Sequence, residues 1–143
     1  MIVRKPVPED ILRDSVLAHI AAAYFSVGKR LERKTGCSAT RGFILNVLRG
    51  GAALNQNQVA TALGLDRTVV HRAIKGMVRD GLIAEKATTG RAIALRLTAK
   101  GNRYHDTLVR ERVAADEKIR RALPSADREN LLRLLRLIAD FDF

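Results

Sequence analysis

Apolar residues recur at steps of three and four along most of this chain, and only one short region alternates at every second place. Val16, Ile20, Tyr24, Val27 and Leu31 form the first stripe and predict a long helix over 8–34, with Pro8 at its first turn and Gly36 beyond its end. Ser38 is placed to cap a second helix running to Arg49, with Phe43, Ile44, Val47 and Leu48 apolar and Gly50-Gly51 as its stop. Leu82 to Lys86 and Ala92 to Leu97 alternate instead, and Gly90 in the intervening segment makes a β-hairpin. Thr98 then caps a charged helix over about 99–122, Pro124-Ser125 breaks it, and a last helix follows to Phe141.

Between the second helix and the hairpin lie two short helices. Asn55 with Gln58 three residues on is a capping-box pair, and Val59 and Leu63 give the first helix an apolar face. Gly64 suits the left-handed turn that ends it, and the Asp66 carboxylate can cap the next. On a wheel of about 100° per residue, Val70, Ala73, Ile74, Met77 and Val78 share one side of that second helix. Thr68, His71, Arg72, Lys75 and Arg79 share the other, and no acid is among them. A solvated face ordinarily mixes its signs, so helix, tight turn and basic helix together predict a DNA-reading helix-turn-helix.

Residues near the start of such a helix reach deepest into a major groove. Thr68, Val69, His71 and Arg72 are therefore the candidates nearest the bases, with Val69 available to a thymine methyl, and Arg67 is a further DNA-binding candidate. Lys75 and Arg79 fall where phosphates would lie. Lys86 and Arg91 put positive charge at the tip of the following hairpin, which reads as a wing whose Arg91 can enter a narrow minor groove; a solvated loop arginine is the equal alternative.

Charge agrees with the motif. The 143 residues carry 26 Lys and Arg against 15 acids, a net +11. Residues 1–50 and 51–100 each hold an excess of +5 and residues 101–143 only +1, so the surplus lies with the reading element. Aromatic content of 4% without Trp disfavours a stacking platform for single strands. No apolar run predicts a leader or a membrane span, Cys37 has no partner for a disulfide, and a cytoplasmic protein is expected. His19, His71 and His105 lack metal-ligand spacing, so neither metal nor cofactor is expected.

The final helix adds a partner. Leu131, Leu132, Leu134, Leu135, Leu137, Ile138 and Phe141 cover an arc of about 220°, twice what one core needs. A second subunit is the expected cover.

Leu63-Gly64-Leu65-Asp66-Arg67-Thr68-Val69-Val70, then Gly81-Leu82-Ile83, then Arg91-Ala92-x-x-Leu95-x-Leu97-Thr98-x-x-Gly101 together resemble, in order and spacing, the MarR-type bacterial transcriptional regulators. The resemblance spans nearly the whole chain. It implies a mainly α fold with a small β-hairpin wing, a winged helix-turn-helix carried by N- and C-terminal dimerisation helices. In that frame 1–143 is one unit, 38–98 the DNA-binding lobe, and 8–34 and 99–141 the dimerisation helices. It also implies a homodimer on double-stranded DNA, with a pseudo-palindromic operator whose half-sites are about 10 base pairs apart. Arg72 falls where the family has a helix arginine facing DNA, and Arg91 where it has its wing arginine. The wing departs from the pattern: it is shorter, and Thr89 stands where the acid of the family's Asp-x-Arg motif belongs.

Many MarR-type proteins sense a small ligand in a cleft beside the DNA-binding lobe. His19, Tyr24, Phe25, Arg41 and Phe43 fall at positions able to line one, although aromatic residues at helical spacing are more often core. Others sense oxidation through a thiol placed earlier in the first helix, so Cys37, with Arg33 and Lys34 near it in sequence, reads as a structural thiol. A sequence-specific regulator, expected to repress and open to relief by a small ligand, is thus the leading reading. A sequence-tolerant architectural DNA-binding protein is the alternative, followed by a protein-interaction module. No phosphate-cradling loop, metal cluster or nucleophile paired with a histidine points to an enzyme.

Overall fold

The computed structural model describes residues 13–51, 53–90 and 92–142. Among these, six helices and one two-stranded antiparallel sheet follow in the order α1 (Val16–Thr35), α2 (Ala39–Arg49), α3 (Gln56–Leu63), α4 (Arg67–Arg79), β1 (Ile83–Ala87), β2 (Ile93–Leu97), α5 (Ala99–Ala122) and α6 (Ser125–Ala139).

Local capping chemistry sets most boundaries. Ser38 Oγ accepts from the Arg41 amide at 3.3 Å, and Thr98 Oγ1 from the Gly101 amide at 3.0 Å. Asn55 and Gln58 form the expected reciprocal box, each side chain accepting the other's amide at 2.9 Å. Gly64 ends α3 in the left-handed region at φ 61°, and Asp66 Oδ1 accepts from the Thr68 and Val69 amides at the start of α4. Each cap gives a helix end a partner it would otherwise lack.

The first helix differs from its expected course. Pro8 lies outside the described residues, and the helix does not run unbroken to Lys34: Ser15 is extended (φ −77°, ψ 113°) and caps a helix that begins at Val16. Its hydroxyl accepts from the Ala18 amide at 3.2 Å, an alternative to continuous helix that serine offers readily. The apolar stripe itself begins at Val16, with the observed helix.

The core sits under α3 and α4. Ile44, Leu45, Val59, Val70, Ile74, Met77 and Leu95 are almost fully buried, joined by Leu48, Ala60, Leu82 and Ile83. α2 is the hub, packed on α3, α4, α5 and β2. Its buried face is Gly42, Ile44, Leu45 and Leu48, whereas Phe43, expected among its apolar contacts, is 37% exposed. The hairpin pairs Ile83 with Leu97 through Ala87 with Ile93, and Leu54 adds an isolated bridge to Leu95, its carbonyl accepting the Leu95 amide at 2.8 Å.

α1 and α6 bury no residue. Leu17, Tyr24 and Phe25 on α1 and Leu131, Leu132, Leu134, Leu135 and Leu137 on α6 are all exposed.

Candidate nucleic-acid interface

α4 is amphipathic in the sense expected. Val70, Ile74 and Met77 are fully buried beneath it, with Ala73 and Val78 packed at the margin. Arg67, Thr68, Val69, His71, Arg72, Lys75 and Arg79 are all exposed. No acid lies on that arc; Asp66, before it, is occupied in capping, and Asp80, after it, is bound by Arg41 at 2.9 Å. The helix therefore presents a basic surface from a rigid base. Such a surface can donate to acceptors on base edges and to phosphate oxygens.

The two helices of the turn are joined by a contact that the sequence pattern does not reveal. Gln56 Oε1, at the first position of α3, lies 2.6 Å from His71 Nδ1, and Gln56 thereby shares the outer surface of α4. A helix-wheel reading of each helix alone omits Gln56, because only the tertiary approach of α3 to α4 brings it there.

Lys86 is exposed on β1, opposite Ala94. Arg96, missed in the sequence, is exposed on β2 opposite Ala84, on the same face of the hairpin as Lys86. Beyond β1, Thr88 closes the turn by donating its hydroxyl to the Ala92 carbonyl at 2.7 Å, with Gly90 at φ 98°. Arg91 lies outside the described residues.

The MarR family model matches residues 36–92, from the turn before α2 to the end of the wing turn. No curated protein matches the chain. Three solved structures share the fold over most of both chains. The PcaV transcriptional regulator of Streptomyces coelicolor, in complex with its natural ligand, has a TM-score of 0.75 at 24% identity, over 88% of this chain and 93% of that one. The MepR–DNA complex of Staphylococcus aureus has a TM-score of 0.78 at 16% identity, over 90% and 98%. BpsR of Bordetella bronchiseptica, whose DNA binding is regulated by 6-hydroxynicotinic acid, has a TM-score of 0.75 at 21% identity, over 90% and 96%. At these identities the likeness is one of fold: the winged helix-turn-helix with its flanking helices.

Between α1, α2, α5 and α6 lies a cavity of about 630 Å³. His19, Tyr24 and Phe43 line it, among Val27, Leu31, Leu108, Leu131 and Leu135. Phe25 and Arg41 do not: Arg41 turns toward α4 and pairs with Asp80. Among the described residues the cation on the cavity wall is Arg112, which sits inside the heavily charged α5 and which no local pattern singles out.

Cys37 is buried at 7% exposure, and that burial raises its thiol above the ordinary value, with a hydrogen bond to Tyr104 and the charge of Arg41 opposing. Lys34, which a thiolate would need close by, is held instead by Glu111 at 2.6 Å. A neutral buried thiol is a poor nucleophile. Among the described residues no group of His, Cys, Asp or Glu is arranged to hold a metal ion, and no helix is long and apolar enough to cross a membrane.

Proposed function

We propose that this chain is a sequence-specific double-stranded DNA-binding transcriptional regulator that works as a homodimer. The observation that carries the reading is the exposed, acid-free arc of α4, from Arg67 to Arg79, held on a helix whose other face is fully buried. The likeness to a regulator solved on DNA, MepR, supports that use of the helix. Arg72, Thr68, Val69 and His71 read base edges, Lys75, Arg79 and Lys86 meet phosphates, and Arg91 reaches from the wing. Regulation is repression, since a dimer seated on a promoter blocks polymerase without further machinery. There is no catalytic step.

The exposed leucines of α6 and the apolar face of α1 support the dimer, because apolar patches of that extent on both terminal helices call for cover. In this reading 38–98 is the DNA-binding lobe and the helices on either side join the subunits. The cavity behind α2 supports relief by a small ligand, as the likeness to PcaV with its natural ligand and to BpsR suggests. Its apolar walls and Arg112 suit a compact apolar acid, with Arg112 taking the carboxylate.

Selection of bound duplexes followed by titration at several salt concentrations tests the reading. A selected site bound more than about a hundredfold tighter than random duplex is expected, and a smaller ratio for every recovered site would favour the sequence-tolerant architectural alternative.

A further inference from the structure

α4 contains two residues that local physics disfavours. Gly76 stands mid-helix, where glycine is the poorest former after proline, and it is buried without a side chain to contribute to the core. Asp80 is the C-cap, where the negative end of the helix dipole repels a carboxylate, and it sits directly after the basic arc. The two lie one turn apart, and one side chain accounts for both. The Arg41 guanidinium, reaching over from α2, donates through Nη1 to Asp80 Oδ2 at 2.9 Å. Its Nη2 lies where a Cβ on residue 76 would be only 2.8 Å away. Gly76 is thus the notch in which the guanidinium rests, and Asp80 is its anchor.

The same helix end is held from a second side. Lys100 Nζ of α5 donates to the Asp80 carbonyl at 2.8 Å, and Thr98 Oγ1 donates to the Gly81 carbonyl at 2.6 Å. Arg41 itself is fixed at its root, where its amide is bound by the Ser38 cap of α2.

We propose that Arg41 is a positioning residue for sequence reading: seated in the Gly76 notch and paired with Asp80, it sets the orientation of α4 while touching no DNA itself. The inference rests on α4 being the reading helix. It explains why an acid is kept beside a phosphate-facing surface, where charge alone would argue for its removal.

Two substitutions separate this role from plain electrostatics and from plain stability. Asp80→Asn removes a negative charge, so electrostatics alone predicts tighter binding to every duplex. Gly76→Ala leaves charge unchanged and favours helix, but its methyl displaces the guanidinium. Positioning predicts instead that each variant binds the selected duplex about tenfold more weakly while affinity for random duplex holds or rises, and that the double variant is no weaker than either single one. Selected-site affinity that is unchanged or improved in Asp80→Asn, or losses that simply add, would overturn the proposal. Hydrogen exchange of the free protein gives a readout independent of DNA. The amides of Asp80, Gly81 and Leu82, bonded within the helix end to Gly76, Val78 and Met77, should exchange at least about tenfold faster in Asp80→Asn, and unaltered exchange would equally overturn the clamp. Should the unmodified protein show no preference among duplexes, the reading of α4 fails, and exchange alone then decides whether Arg41 positions the helix.

Discussion

Gly101 of α5 lies so close to Leu82 that a Cβ on it would fall 2.1 Å from the Leu82 carbonyl oxygen. The neighbour is backbone and cannot rotate away. That carbonyl also accepts the Thr98 amide at 3.0 Å, so the start of the wing and the start of α5 are joined through one peptide group. Replacing Gly101 with Ala forces the two apart. Urea denaturation should show a loss of about 2–3 kcal/mol, in the range of core overpacking, and a midpoint within error of the parent would refute the tight approach.

The bond between Gln56 and His71 joins α3 to α4 on their exposed side. Both groups face water, so removing it should cost within about 0.5 kcal/mol of stability. Its effect should appear in recognition, because His71 loses the partner that holds its ring. We expect Gln56→Ala to lower the ratio of selected to random affinity several-fold with no change in the salt slope. A reduced salt slope would assign Gln56 a role among the phosphate contacts.

Cys37 and Tyr104 give the protein an alkaline weakness. Burial raises both groups; Cys37 adds to the rise in Tyr104, whereas the hydrogen bond from Tyr104 works against the rise in Cys37. An acid whose folded pKa is raised stabilises the fold fully below its unfolded value, about 8.5 for a thiol, and that contribution is lost as pH rises through the folded value. The urea midpoint should therefore fall from pH 8 to pH 10, and fall less steeply in Cys37→Ala. Equal slopes would show that the thiol titrates alike in the folded and unfolded protein, and that its burial contributes nothing to the pH dependence.

How much of this could be read from residues alone depended on the distance over which each signal acts. Asn55 with Gln58, Gly64, Asp66 and Thr98 act within three or four residues, and each occupies its expected place. The buried face of α4 followed from periodicity, since that helix rests on a single core. α2 packs on four other elements, so one apolar stripe does not describe it: Leu45, not singled out by the pattern, is buried, while Phe43 lies at the cavity. Gln56, Arg41, Arg96 and Arg112 were missed or misassigned because their roles come from partners 15 or more residues away, or from the register of the hairpin, which no local pattern encodes. The Thr89 departure in the wing bears on Arg91, which lies outside the described residues.

The terminal helices carry the last prediction. Leu134 and Leu137 are 38% and 59% exposed and do not line the cavity, so changing them leaves that space intact. If α6 is the cover for a second copy, Leu134→Glu with Leu137→Glu places two charges against an apolar partner, at a cost of several kcal/mol from unpaired burial. Sedimentation should then give monomers where the parent gives dimers, with helix content preserved, because neither residue belongs to the buried core. DNA binding separates the two levels of the reading. A monomer retains one α4 arc, so random-duplex affinity should persist, while affinity for a two-fold-related site should fall by more than about a hundredfold as the second half-site is lost. A variant that stays dimeric would move the interface away from α6. A monomer that binds the selected site as well as the parent does would show that a single reading helix suffices.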